Sequence, residues 1–156
     1  MPASRTFVAP DGEFATRVRV SFARQSVMAF IGAKLVRVEP GLVSIELPYR
    51  RELCQQHGFF HAGITSTIAD SAGGYACFTL FRSNDSVLTV EYKINLLAPA
   101  DGEKLIAIGR VVKPGRTLTV CDLEVISVKA GKETLCATGQ QTLICLKETP
   151  GRAAPE

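Results

Sequence analysis

No apolar run in the 156-residue chain approaches the roughly 18 residues that a membrane-spanning helix requires. From Met1 to Phe22, Arg, Asp and Glu interrupt every apolar stretch, so neither a signal peptide nor a membrane span is expected. Charge of one sign is also scarce. The 18 Lys+Arg against 15 Asp+Glu leave +3, and the basic residues are scattered, with Arg50-Arg51 the tightest pair. That is too mild for a nucleic-acid partner, but it suits a small anionic ligand met by a few local cations. Paired cysteine spacing is absent: Cys54, Cys77, Cys121, Cys136 and Cys145 are odd in number and contain no C-x-x-C. They read as thiols of a reducing cytoplasm. Histidine is limited to His57 and His61, four apart and ahead of the nearest helical pattern, so no metal site is expected.

What is present describes one domain over 1–156, with a core at about 20–147. The chain is 46% hydrophobic and 21% charged. At this length folding removes about 68–70% of the extended chain's surface, enough for one core without disulfide or metal staples. Loose ends are expected at 1–15, with Pro2, Pro10 and Gly12, and at 149–156. A lead helix is predicted at about Ser21 to Ile31, stopped by Gly32.

Strands dominate afterwards. Residues 33–39 and 42–47 flank the turn Pro40-Gly41, and four longer strands follow at about 86–97, 104–113, 117–129 and 133–146. Val90, Tyr92 and Ile94 alternate with Thr89, Glu91 and Lys93, which places Thr89 on the polar side of its strand. Between the two groups of strands, residues 62–81 lack proline and carry apolar residues at helical spacing. Small residues crowd this segment, including Gly73-Gly74, despite a glycine cost of about 0.5–1 kcal/mol relative to alanine. Close approach by other backbone is the implied reason. The order is α+β, one antiparallel sheet of five to six strands wrapped around one central helix.

Chemistry concentrates where that helix begins, at Gln55-Gln56-His57-Gly58-Phe59-Phe60-His61-Ala62-Gly63, with Asp70 nine residues past His61. Unsatisfied N–H groups at a helix start can hold a developing oxyanion. A carboxylate among Ile68, Ala69, Ser71 and Ala72 must either be paired with a cation or reach a cleft.

This pattern resembles the hotdog-fold acyl-CoA thioesterases of the phenylacetic-acid-degradation type. Their Gly, His-Gly-Gly and Asp positions are held by Gly58, His61-Ala62-Gly63 and Asp70, and their Asn by Gln55. The resemblance implies a hotdog fold and a thioester hydrolase that releases free acid and coenzyme A. It gives Asp70 the activation of water, and the Ala62 amide with the Gln55 side chain the thioester oxygen. Thr89 matches a hydroxyl that orients the water. It further implies a homodimer whose Asp70 meets His61 and Gln55 of a second copy, assembled as a homotetramer, with no cofactor beyond the coenzyme A of the substrate. Gln for Asn adds a methylene, and Ala for Gly keeps the N–H but forbids easy positive φ.

His61 reads equally as a helix-start residue bonded to backbone. Phe59, Phe60, Tyr75 and Phe78 could line an acyl pocket or belong to the core. Lys113, Arg116, Arg50 and Arg51 are ordinary solvated cations, or else the groups that meet coenzyme A phosphates. The rival reading is a non-catalytic acyl-CoA-binding or sensing module on the same fold.

Overall fold

Turn chemistry divides the chain as the sequence suggests. The structure is a computed structural model that describes residues 6–148. Two helices lead, α1 (Phe14–Arg24) and α2 (Ser26–Ile31), followed by β1 (Lys34–Glu39) and β2 (Leu42–Pro48). A 3₁₀ turn at Arg51–Leu53 precedes the long helix α3 (Ala62–Phe78). The remaining strands are β3 (Ser86–Leu96), β4 (Lys104–Lys113), β5 (Leu118–Lys129) and β6 (Lys132–Leu146). All six form one antiparallel sheet in the order β1-β2-β4-β5-β6-β3, curled around α3, which is the hotdog architecture.

Alternation fixes which strand faces meet the helix. Leu105, Ala107 and Val111 of β4, Leu123 and Val125 of β5, and Leu143 of β6 are buried against Ile68, Ala72 and Ala76 of α3. The small residues of α3 have a measurable reason. A Cβ added to Gly109 would lie 2.5 Å from backbone atoms of Ala72 and Gly73, so β4 and α3 meet backbone to backbone.

The lead segment departs from expectation. Helix α1 begins at Phe14 rather than near Ser21, and extended Gln25 (φ −74°, ψ 98°) separates it from α2. Arg17 explains both the early start and why the sequence concealed it. Its guanidinium donates to the carbonyls of Phe78 (3.2 Å), Phe81 (2.7 Å) and Arg82 (2.7 Å), at and just beyond the end of α3. It also lies 4.3 Å from the Phe78 ring centre and pairs with Asp11 at 3.1 Å. A cation satisfying helix-end carbonyls looks like a break in an apolar pattern. Of the expected loose start, residues 6–13 are partly tied down, Phe7 filling the space over Gly41. Residues 1–5 and 149–156 lie outside the described residues. Helix α3 ends at Phe78, three residues before the expected end, where the buried Thr79 hydroxyl donates to Ala76 O (2.6 Å) and accepts from the Gly41 N–H (2.8 Å).

One irregularity matters for function. Thr89 pairs with Leu143, yet Glu91 pairs with Thr142, so Val90 is an extra residue in β3. The parity of the strand reverses there. Thr89, Tyr92 and Ile94 all stand opposite helix-facing positions of β6, namely Leu143, Gln141 and Gly139. Thr89 therefore faces the helix, not the polar side that unbroken alternation predicted.

Strand β3 is also a free edge of the sheet, with Leu88, Val90, Tyr92 and Leu96 each about half exposed. All five cysteines are free thiols. Cys77 is held far above its ordinary pKa by its bond with Cys121 and by burial. Among the described residues no helix is long and apolar enough to cross a membrane.

Candidate active site

The segment before α3 is braced on both sides. His61 N–H donates to Leu53 O (2.9 Å) and Phe60 N–H to Ala100 O (3.0 Å). Between Cys54 and Phe60, which form an isolated bridge, the chain makes a tight turn closed by Gly58 N–H on Gln55 O (3.0 Å). Gly58 sits at φ +84°, where a side chain would be strained. The Gln55 side-chain oxygen accepts from the His57 N–H. Its amide NH₂ is left without a partner among the described residues.

His61 is the N-cap of α3, in extended conformation (φ −63°, ψ 139°). Its Nδ1 accepts from the Gly63 N–H at 2.9 Å, and its carbonyl accepts from Ile64 (2.9 Å) and Thr65 (3.0 Å). Of the amides in this first turn, only Ala62 N–H lacks a partner among the described residues, and Ala62 is exposed. The structure thus gives His61 and Gly63 a bond to each other and leaves Ala62 as the available donor. Ala62 begins the helix proper, so it needs no positive φ.

Asp70 occupies the middle of α3, half-buried. Its Oδ1 accepts from the Thr89 hydroxyl (2.7 Å) and from Gln141 Nε2 (2.5 Å). The two protons of Gln141 Nε2 are shared among Oδ1, Thr89 Oγ1 (2.9 Å) and, at the longest distance, the Asp70 carbonyl (3.3 Å). No cation pairs with Asp70 among the described residues, which removes the ion-pair explanation for its presence. The carboxylate lines a cleft of about 620 Å³ together with Ser21, Gln25, Ser71, Tyr75 and Val87. Its wall is a polar network: Tyr75 OH bonds to Ser21 and Gln25 (3.2 Å each), and Ser71 donates to Gln25 (3.2 Å). Burial pushes the Tyr75 hydroxyl above its ordinary pKa, while the bonds with Ser21 and Gln25 act the other way.

Gln55 and Ala62 line a separate cavity of about 420 Å³ with Phe59, Phe60, Leu97 and Pro99. Eight residues along a helix span about 12 Å, so one protomer does not bring Asp70 and the Ala62 amide together. Of the aromatic candidates, Phe60, Tyr75 and Phe78 are almost wholly buried core residues; Phe59 is half-buried at the cavity wall. Arg50 donates to Phe30 O (3.2 Å) and ties β2 to the end of α2. Arg51 lies on the 3₁₀ turn, and Lys113 and Arg116 flank the exposed β4–β5 turn. None of these four cations lines either cavity. No three His, Cys, Asp or Glu side chains converge as a metal site among the described residues.

Gln141 is the residue that sequence reasoning missed. It is fully buried although polar, opposite Tyr92 and next but one to Leu143 on the inward face of β6. The available signal was a glutamine at an inward parity, blurred by the equally polar Gln140 beside it.

A sheet wrapped around a helix that carries a bare amide at its start and a cleft-facing carboxylate in its middle defines a class of thioester hydrolases. The chain belongs to the thioesterase superfamily, whose family model matches residues 57–134. A thioesterase family protein from Silicibacter pomeroyi is 50% identical, with TM-score 0.85 over 86% of this chain and 99% of that one. Acyl-coenzyme A thioesterase 13 of Homo sapiens is 30% identical over 69% of this chain and 76% of its own length. The fold is shared with the PaaI protein of the E. coli phenylacetic acid degradation operon, at 17% identity and TM-score 0.78 over 88% and 96% of the two chains. The protein is a thioester hydrolase.

Proposed function

We propose that the substrate is an acyl- or aryl-acyl-coenzyme A and that Asp70 activates the water that cleaves it. The observation that supports this reading is the state of Asp70: anchored at Oδ1 by two donors, unpaired with any cation among the described residues, and open to a cleft. Asp70 takes a proton from water, and the resulting hydroxide adds to the thioester carbonyl. The new oxyanion is met by the Ala62 N–H and the Gln55 amide of a second copy of the chain. The C–S bond then breaks and the proton passes to the departing thiolate, giving carboxylic acid and free coenzyme A. Carboxylate and donors supply both base and oxyanion support, so the reaction needs no metal or redox cofactor. The 12 Å gap within one protomer and the half-exposed apolar edge of β3 both favour this two-copy arrangement, a homodimer and by family likeness a homotetramer. Lys113, Arg116, Arg50 and Arg51 are the candidate partners of the coenzyme A phosphates, in a reducing cytoplasm that keeps the thiols free.

The test is a panel of acetyl-, medium-chain, aryl- and long-chain acyl-CoAs scored by release of free thiol, for the wild type and Asp70→Asn. The expected loss in kcat is about 10²–10⁴-fold, the usual contribution of a positioned base. Stoichiometric acyl-CoA binding with no thiol from any member would instead identify a sensing module. Full turnover by the variant would remove Asp70 from the mechanism.

A further inference from the structure

We infer that Gln141 is a positioning residue for hydrolysis, holding the Asp70 carboxylate and the Thr89 hydroxyl in one fixed arrangement; the inference rests on the reading of Asp70 as the base. The geometry has three legs. Gln141 Nε2 reaches Asp70 Oδ1 (2.5 Å), the Asp70 carbonyl (3.3 Å) and Thr89 Oγ1 (2.9 Å), while the Thr89 hydroxyl donates its proton to the same Oδ1 (2.7 Å). A threonine hydroxyl has one proton and two lone pairs, so donating to Asp70 and accepting from Gln141 uses it consistently. Every donor converges on Oδ1. The other carboxylate oxygen has no protein partner among the described residues and is left to the cleft.

The fold sets this amide in place at a cost that packing alone does not explain. Gln141 is fully buried, and its Oε1 has no hydrogen-bond partner among the described residues. A buried carbonyl without a donor is unfavourable, and an apolar side chain of equal size would avoid it. Gly73 on α3 leaves the room the amide needs: a Cβ there would lie 2.0 Å from Gln141 Oε1 and 2.6 Å from Leu123 Cδ2. Helix, β3 and β6 thus each contribute one part, the carboxylate, the hydroxyl and the amide, and the extra residue at Val90 is what turns Thr89 toward the other two.

The experiment compares Gln141→Met and Gln141→Leu, apolar and similar in size, with the wild type and with Asp70→Asn, using the best acyl-CoA of the panel. The expected result is a kcat lowered about 10- to 100-fold, the scale of a small misplacement of a reacting group. KM should stay within about threefold, because binding is not the function assigned to the amide. Tm should stay level or rise, since the orphaned carbonyl is gone. Adding Gln141→Met to Asp70→Asn should then lower the residual rate no further, as expected for groups acting as one unit. An unchanged kcat in the folded single variants, or a full additional loss in the double variant, overturns the inference. So does failure of both single variants to fold, which would make Gln141 a packing residue. If Asp70→Asn is itself fully active, the base assignment and this inference fall together; if only the Gln141 variants are active, the base assignment stands alone.

Discussion

The two ends of the site proposed on α3 are built by opposite means. At the middle of the helix, Asp70 is fixed by side chains from two strands, Thr89 of β3 and Gln141 of β6, within one protomer. At the start, the Ala62 amide is fixed mainly by backbone, through the braced turn before it and the single side-chain cap of His61, and it has no partner among the described residues. The first is sensitive to the shape of the core, and the second to the path of the main chain. A site divided in this way can fail in either half without the other half being disturbed.

The largest effect expected at the helix start separates the halves. Ala62→Pro removes the N–H at the first helical position, where proline is well tolerated and the extended His61 before it already has a compatible conformation. Tm should hold while kcat falls about 10²–10³-fold, the cost of losing one oxyanion donor. Unaltered thiol release by this variant would show that the amide is not used. Next, equilibrating Ala62→Pro with Asp70→Asn protomers should recover about a quarter of wild-type activity, because each mixed dimer regains one intact site. Recovery absent from a sample shown by native mass spectrometry to contain mixed dimers would place both groups of a site in one chain.

Gly73→Ala attacks the side-chain half. Its Cβ would collide with Gln141 and Leu123. Overpacking of this kind costs about 1–3 kcal/mol, a fall in Tm of roughly 2–10 °C by calorimetry. An unshifted Tm would mean the helix and β6 yield more readily than their packing indicates. The smallest effect belongs to the periphery. Lys113→Ala with Arg116→Ala should raise KM for acyl-CoA by roughly two- to fivefold at low ionic strength, and salt should erase the difference, as it does for exposed charges. A KM rise that persists in high salt would assign these side chains a direct contact instead.

The sequence made the frame legible because turns and small residues are local signals. The turn Pro40-Gly41 and the breaks between the predicted strand runs bounded the strands to within a residue or so, and the run of small residues marked α3 as the wrapped helix. The bare amide half was legible for the same reason: the spacing from Gly58 through His61 to Gly63 is read along one stretch of chain. The carboxylate half was legible only in Asp70. Thr89 was misplaced because a period of two carries no mark of an inserted residue, and Val90 is as strand-like as its neighbours. Gln141 was passed over because its partners are 52 and 71 residues away. Arg17 was hidden likewise, its carbonyl partners being supplied by the far end of α3.

The donor at position 62 has an evolutionary consequence. A peptide N–H is carried by every residue type except proline, so the identity of the side chain there is free to drift as long as the helix starts at the same place. Alanine carries this N–H as fully as glycine would. What descent must then preserve is the cap, the turn at Gly58 and the bracing from Leu53 and Ala100, which through the main chain decide where the helix and its first N–H begin.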